Sequence, residues 1–280
     1  MRRMTAFISA VALSLWLVTP AAAAPTRTLY LALGDSLAVG DGASDMASTA
    51  YVPLMADYFA GKPHGNVKRM VNLAIGGETT GSFMAAHAGP TSQLDTAVAA
   101  ILDTATDTRV ITLSISGNDL LDLLNEPTDP CVADPTGLVC QGQVAAALYG
   151  VSTNLPGILG TLSAALAAED DDPEQVYVLT LYNPFGGTGS PYEVPIDYAL
   201  LGADLTVDCT ALGNPANTGL NDIVACTAMA FGGVVIDGYA VIGDNALALT
   251  HIGDPGFNIH PNDDGYAAIA KAHRAAQRTL

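Results

Sequence analysis

A chain of 280 residues, half of them hydrophobic, can bury a full core and suits one large domain or two small ones. Acidic residues outnumber basic ones 28 to 10, the net charge is −18, and lysine is confined to Lys62, Lys68 and Lys271. A surface of that sign repels nucleic acid and anionic lipid, so neither is expected as a partner.

The first 24 residues have the layout of a signal peptide. Arg2 and Arg3 form a basic start, Ala6 to Val18 an apolar stretch, and Ala21 to Ala24 offer small-residue cleavage positions. The apolar stretch is short for a membrane span, and no later segment is expected to be one. With no cysteine at the cleavage position, a lipoprotein anchor is not expected. The expectation is a secreted, extracellular monomer, a single domain over residues 25–280. Loss of the two leader arginines takes its charge from −18 to −20.

The first expected strand, Leu29–Leu33, runs straight into Gly34-Asp35-Ser36-Leu37. A serine where a strand turns into a helix is exposed at the carboxyl edge of a sheet, where ligands collect in open α/β folds. A helix over Tyr51–Phe59 and a strand over Val67–Leu73 should follow. That strand ends in Ile75-Gly76-Gly77-Glu78-Thr79. Paired glycines let a backbone N–H approach another group closely, although an ordinary strand-to-helix turn has the same composition. Next come a helix over Leu94–Leu102 and a strand over Arg109–Ser116, which ends in Gly117-Asn118-Asp119. The Asn118 amide could point its NH2 into the same crevice or cap a helix starting near Leu120.

Asn125–Gly142 and Gly186–Ala216 are rich in Pro, Gly, Asp and Thr and are expected to be long surface loops. Helices over Val144–Ala168 and Asn217–Ala230 and strands over Gln175–Leu181 and Val234–Asp237 complete the alternation. Asp170-Asp171-Asp172 fits a solvated helix end, since no loop of calcium-ligand spacing is present. Cys131, Cys140, Cys209 and Cys226 allow three disulfide pairings in an oxidising compartment. Cys131–Cys140 and Cys209–Cys226 close the shortest loops. None has zinc-type spacing. Strands alternating with helices predict an α/β fold with a parallel sheet covered on both faces.

The last segment is Asn258-Ile259-His260-Pro261-Asn262-Asp263-Asp264. Pro261 suits the first position of a helix reaching about Arg278, and the aspartates suit its first turn. His260 would stand just ahead of that helix, whose positive end favours a neutral ring. His64, His87, His251 and His273 lack this setting and are expected to be surface or core residues. A serine alcohol is a weak nucleophile that needs a base and donors for an oxyanion. Ser36 and His260 could supply the first two.

These four segments, in this order, resemble the SGNH hydrolases, also called the GDSL esterase/lipase family. The resemblance covers almost the whole chain after the leader. It implies a three-layer α/β/α sandwich with a five-stranded parallel sheet, the flavodoxin-like SGNH hydrolase fold. It maps the nucleophile onto Ser36 and the base onto His260, with an oxyanion hole of Ser36 N–H, Gly77 N–H and the Asn118 side chain. The implied activity is ester hydrolysis through an acyl-enzyme, without metal or organic cofactor, on a small-molecule or lipid ester. One departure stands out: the family usually carries Asp three residues before the histidine, and here that residue is Phe257. Asp254, Asn258 or a backbone carbonyl could take its place. Tyr182, Phe185, Phe231 and Phe257 could line an acyl pocket or simply cover the core. The missing acid leaves room for a secreted binding module on the same fold, and the same groups could transfer the acyl chain to an alcohol.

Overall fold

The computed structural model describes residues 27–61, 66–86, 89–124, 126–169, 174–210, 212–214 and 216–277. The leader, Lys62, His64, His87 and the Asp170–Asp172 run lie outside them.

Five apolar runs form the sheet: β1 (Arg27–Gly34), β2 (Arg69–Asn72), β3 (Thr106–Ser114), β4 (Gln175–Leu179) and β5 (Val234–Ile236). All neighbouring pairs are parallel, in the order β2-β1-β3-β4-β5. The chain leaves β1 toward one edge and returns through β3 to build toward the other. In such sheets the crevice opens at the carboxyl ends of the strands flanking that reversal. Here those strands are β1 and β3.

Side chains alternate along β1, so each face of the sheet has its own core. Leu29, Leu31 and Leu33 pack with the helices Gln93–Ile101, Leu138–Glu169 and Leu220–Ala230. Tyr30 and Ala32 face Tyr51–Ala60 and Asp263–Ala276. This is the three-layer arrangement expected from the alternation of strands and helices.

Several boundaries differ from the sequence expectation. The stretch expected as a loop over 125–142 holds a short helix, Pro130–Ala133, and the start of the long helix. Cys131 and Cys140 are joined there, with Cα atoms 4.7 Å apart, and both side chains are buried. The second expected loop contains the helix Glu193–Leu201, whose Ala199, Leu200 and Leu201 reach the core. The final helix starts at Asp263, because Asn262 Oδ1 accepts the Gly265 N–H at 3.0 Å and takes the cap position. Pro261 instead forms an antiparallel bridge with Thr250. By length and composition Leu138–Glu169 could cross a membrane, contrary to expectation. Its Val151, Leu155, Ile158, Leu159 and Leu162 are buried in the core, which accounts for its apolar character.

The second disulfide, Cys209–Cys226, ties the 203–218 segment to the helix Leu220–Ala230. Closing a loop of that size restricts the unfolded chain by about 3 kcal/mol. Replacing both cysteines by serine should therefore lower the free energy of unfolding by about 3 kcal/mol in denaturant titrations. An unchanged midpoint would show that the bond adds nothing.

Candidate active site

Close approach of the two central strands fixes where Ser36 sits. Gly34 has φ +127°, and a Cβ there would lie 1.8 Å from Ser114 O, so only glycine fits between β1 and β3. The Asp35 N–H donates to Ser114 O at 2.9 Å. Asp35 then caps the short helix Ser36–Val39, accepting the Leu37 N–H (3.0 Å) and the Ser114 hydroxyl (3.1 Å) on Oδ1. Burial pushes its carboxyl up to about 7 and outweighs those two hydrogen bonds. Ser36 is the first residue of that helix, so its own N–H has no intrahelical partner.

The second and third segments are tied to the first and to each other. Gln93 Oε1 accepts the Gly34 N–H at 2.6 Å, while Gln93 Nε2 donates to Gly34 O (2.9 Å) and Glu78 Oε2 (3.0 Å). One buried amide thus joins the residue before Asp35-Ser36 to the residue after Gly77. Sequence reasoning passed over Gln93. Its only signal was a polar residue at the start of a helix that packs on the sheet. Gly77 turns the chain with φ +76°. Ser116 holds the left-handed conformation, φ +91°, immediately before Gly117-Asn118. The Asn118 amide donates to Glu78 O at 3.0 Å, and Asp119 accepts the Thr80 N–H (2.9 Å) and hydroxyl (2.7 Å). Asn118 is therefore not a helix cap. It lies inside the helix Gly117–Leu121, and its side chain reaches across to the Gly77 turn.

The fourth segment brings His260 to Ser36 across 224 residues, with Nε2 2.8 Å from Ser36 Oγ. Asn258 Oδ1 accepts the His260 backbone N–H at 3.0 Å and lies 2.9 Å from Nδ1. A backbone N–H can only donate, so the amide atom is the oxygen and Nδ1 carries the ring hydrogen. Nε2 is then left with a lone pair for the Ser36 hydroxyl. The Tyr182 hydroxyl donates to Ile259 O at 2.7 Å and steadies the segment. Burial pushes the His260 ring below the usual histidine value. Asp41 opposes that, and His251 adds to it.

Asp254 does not reach His260. Its carboxylate lies 2.6 Å from Nδ1 of His251, because the bend at Pro255-Gly256 carries the chain onward before His260. Phe257 is 70% exposed and lines the cleft. The cleft has a volume of about 650 Å3 and is lined by Ser36, Asp41, Asn118, Tyr182, Phe257 and His260, among others. Phe185 is buried behind it, its ring 6.1 Å from that of Phe257. Phe231 instead packs near Gly160 of the long helix, away from the cleft. Gly77 is not part of the lining and joins the cleft through the Glu78–Asn118 bond. A larger recess of about 1070 Å3, between the long helix and Glu193–Leu201, shares no residue with the cleft. The Ser36–His260 contact, rather than volume, marks the smaller cleft as the candidate site. No cluster of three or more His, Cys, Asp or Glu side chains suited to a metal ion occurs among the described residues.

A hydroxyl in contact with an unprotonated ring nitrogen, with an amide donor nearby, can add to a carbonyl carbon. The GDSL-like lipase/acylhydrolase family model matches residues 32–268, a span that takes in all four segments. The chain belongs to that family. Solved structures share the fold. An extracellular lipase from Streptomyces rimosus is 22% identical, with a TM-score of 0.57 over 89% of this chain and 100% of that one. An acetylxylan esterase from Geobacillus stearothermophilus is 15% identical, with a TM-score of 0.56 over 90% and 94%. An α/β hydrolase from the Lake Arreo metagenome is 16% identical, with a TM-score of 0.53 over 90% and 95%. No curated protein matches the sequence.

Gln93→Ala removes the partner of a buried backbone N–H and a hydrogen bond to a buried carboxylate. It should cost about 1–3 kcal/mol of stability in denaturant unfolding, because buried polar groups lose their partners. A variant as stable as the parent would show that the staple is dispensable.

Proposed function

We propose that the protein is an exported serine hydrolase that cleaves carboxylic esters through an acyl-enzyme on Ser36. The observation that carries this reading is the Ser36 Oγ–His260 Nε2 contact of 2.8 Å, with the ring tautomer set by Asn258. His260 takes the hydroxyl proton as Oγ attacks the ester carbonyl. The tetrahedral oxyanion accepts hydrogen bonds from Ser36 N–H and the second N–H of the Asn118 amide, joined by Gly77 N–H on the family resemblance. His260 then passes the proton to the departing alcohol oxygen. In the second half it takes a proton from water, which attacks the acyl carbon and releases the acid and Ser36.

Asn258 Oδ1, 2.9 Å from Nδ1, offers the acceptor that Phe257 cannot, which supports the catalytic reading over a non-catalytic binding module. Export is supported by the leader-like first 24 residues and by two disulfides, which persist in oxidising compartments. Leu181, Tyr182, Pro184 and Phe257 give the cleft an apolar side suited to an acyl group. Relatives of this fold include a lipase and an acetylxylan esterase. The acyl length taken by this chain is read out by a p-nitrophenyl ester series.

Ser36→Ala should abolish hydrolysis of such esters. Asn118→Ala should lower kcat roughly a hundredfold, the effect of losing one oxyanion donor. Full turnover in either variant would overturn the assignment. The pH profile gives a second check. The base must be neutral, so activity falls as pH drops through the His260 pKa. Burial lowers that pKa, and the acid limb should lie below the ordinary histidine value of about 6.5. Asn258→Asp places a carboxylate at Nδ1 and should move that limb to higher pH. A limb unmoved by the substitution would show that position 258 does not face the working ring.

A further inference from the structure

His251 has no place in the sequence motifs, yet it lies against the segment that carries His260. Its backbone N–H donates to His260 O at 3.0 Å, and the Thr250–Pro261 bridge extends the contact. Its ring spans two acceptors. Nε2 is 2.7 Å from Gly42 O and Nδ1 is 2.6 Å from Asp254 Oδ2. A carbonyl and a carboxylate only accept, so the site suits a ring with hydrogen on both nitrogens, the imidazolium, and His251 is held above the ordinary histidine value. Gly42 is wedged at the same point. A Cβ there would come within 2.6 Å of Pro261 O and 2.9 Å of His260 Cβ. Gly42 follows Ser36 by six residues, at the start of the loop that leads to Tyr51–Ala60.

We propose that His251 is a positioning residue, a charged clamp that fastens the Gly42 turn behind Ser36 to the segment bearing His260 and so sets their separation. This rests on the reading of Ser36 and His260 as the reacting pair. Asp254 orients and charges the clamp, the position found for the acid first considered for His260.

The groups facing the clamp fix its pH behaviour. Asp254 on its own segment and Asp263 on the final helix favour the charged ring, and a charge on His260 would oppose it. Asp263 is itself held by Ser44 and Thr49 of the 42–50 loop. Asp41 faces His260 and favours its charged form. The Asp254 hydrogen bond and then the Gly42 one hold His251 above the ordinary value, while burial holds His260 below it. Between those two values His251 is charged and His260 neutral, which is the combination the reaction needs. As pH rises past the His251 value, one of its two ring N–H groups is lost and the clamp loosens.

The test is the pH dependence of p-nitrophenyl acetate hydrolysis by the full chain, with His251→Ala and Asp254→Asn, and imidazole nitrogen NMR of the parent. His251→Ala should lower kcat roughly tenfold or more with KM within about twofold, as expected when reacting groups are misplaced by a fraction of an ångström. Its alkaline limb should disappear. Asp254→Asn should keep an alkaline limb but shift it to lower pH. NMR should show both His251 nitrogens protonated while the His260 ring is neutral. A His251→Ala enzyme with the parent kcat and pH profile would overturn the clamp, as would a singly protonated His251 ring under those conditions. Should His251→Ala fail to fold, the Asp254→Asn profile and the NMR spectrum decide. A parent chain that hydrolyses no ester would instead sink the underlying reading of Ser36 and His260.

Discussion

Asn258 Oδ1 accepts two N–H groups from one residue, the backbone and the ring of His260. The backbone bond identifies the amide oxygen, and the ring bond then dictates the tautomer. Everything at the Ser36 hydroxyl follows from that choice, because only an Nε2 lone pair can receive its proton. An amide does this orienting work without a negative charge. In the proposed mechanism, the imidazolium formed on proton transfer is therefore less supported than it would be beside a carboxylate. Asp41 is the charged group in the cleft that acts in the supporting direction.

The site also depends on how tightly β1 and β3 approach. Gly34 against Ser114 leaves no room for a side chain, and the buried Asp35 carboxyl turns the chain into the Ser36 helix. Gln93 then couples this turn to Glu78, and Glu78 couples to Asn118. The groups that would face an oxyanion are held by buried hydrogen bonds rather than by exposed loops. Donors fixed before the substrate arrives need no reorganisation as charge develops, which is where such sites gain most of their effect.

Much of this was legible in the sequence. The five apolar runs, their alternation with helices, and the three segments at strand ends with a fourth ahead of the last helix are local features with direct physical meaning, and the sheet was legible from them. Boundaries were harder. The helix Glu193–Leu201 hides in a Pro- and Gly-rich stretch, and its stability comes from burying Ala199, Leu200 and Leu201, a tertiary effect. The sequence left the partner of His260 open among Asp254, Asn258 and a backbone carbonyl, and gave His251 no partner. Asp254 and Asn258 both stand near His260 in sequence, and only the bend after Asp254 sends one to His251 and the other to His260. Gln93 was missed for the same reason, since its partners lie 59 and 15 residues away.

On the proposed chemistry the contact with His260 activates the Ser36 hydroxyl, and covalent labelling reads this out directly. Treatment with a fluorophosphonate followed by peptide-mapping mass spectrometry should place a single adduct on Ser36. The adduct should vanish in His260→Ala. An adduct on another residue, or labelling of Ser36 that proceeds unchanged without His260, would contradict the pairing on which the proposed chemistry stands.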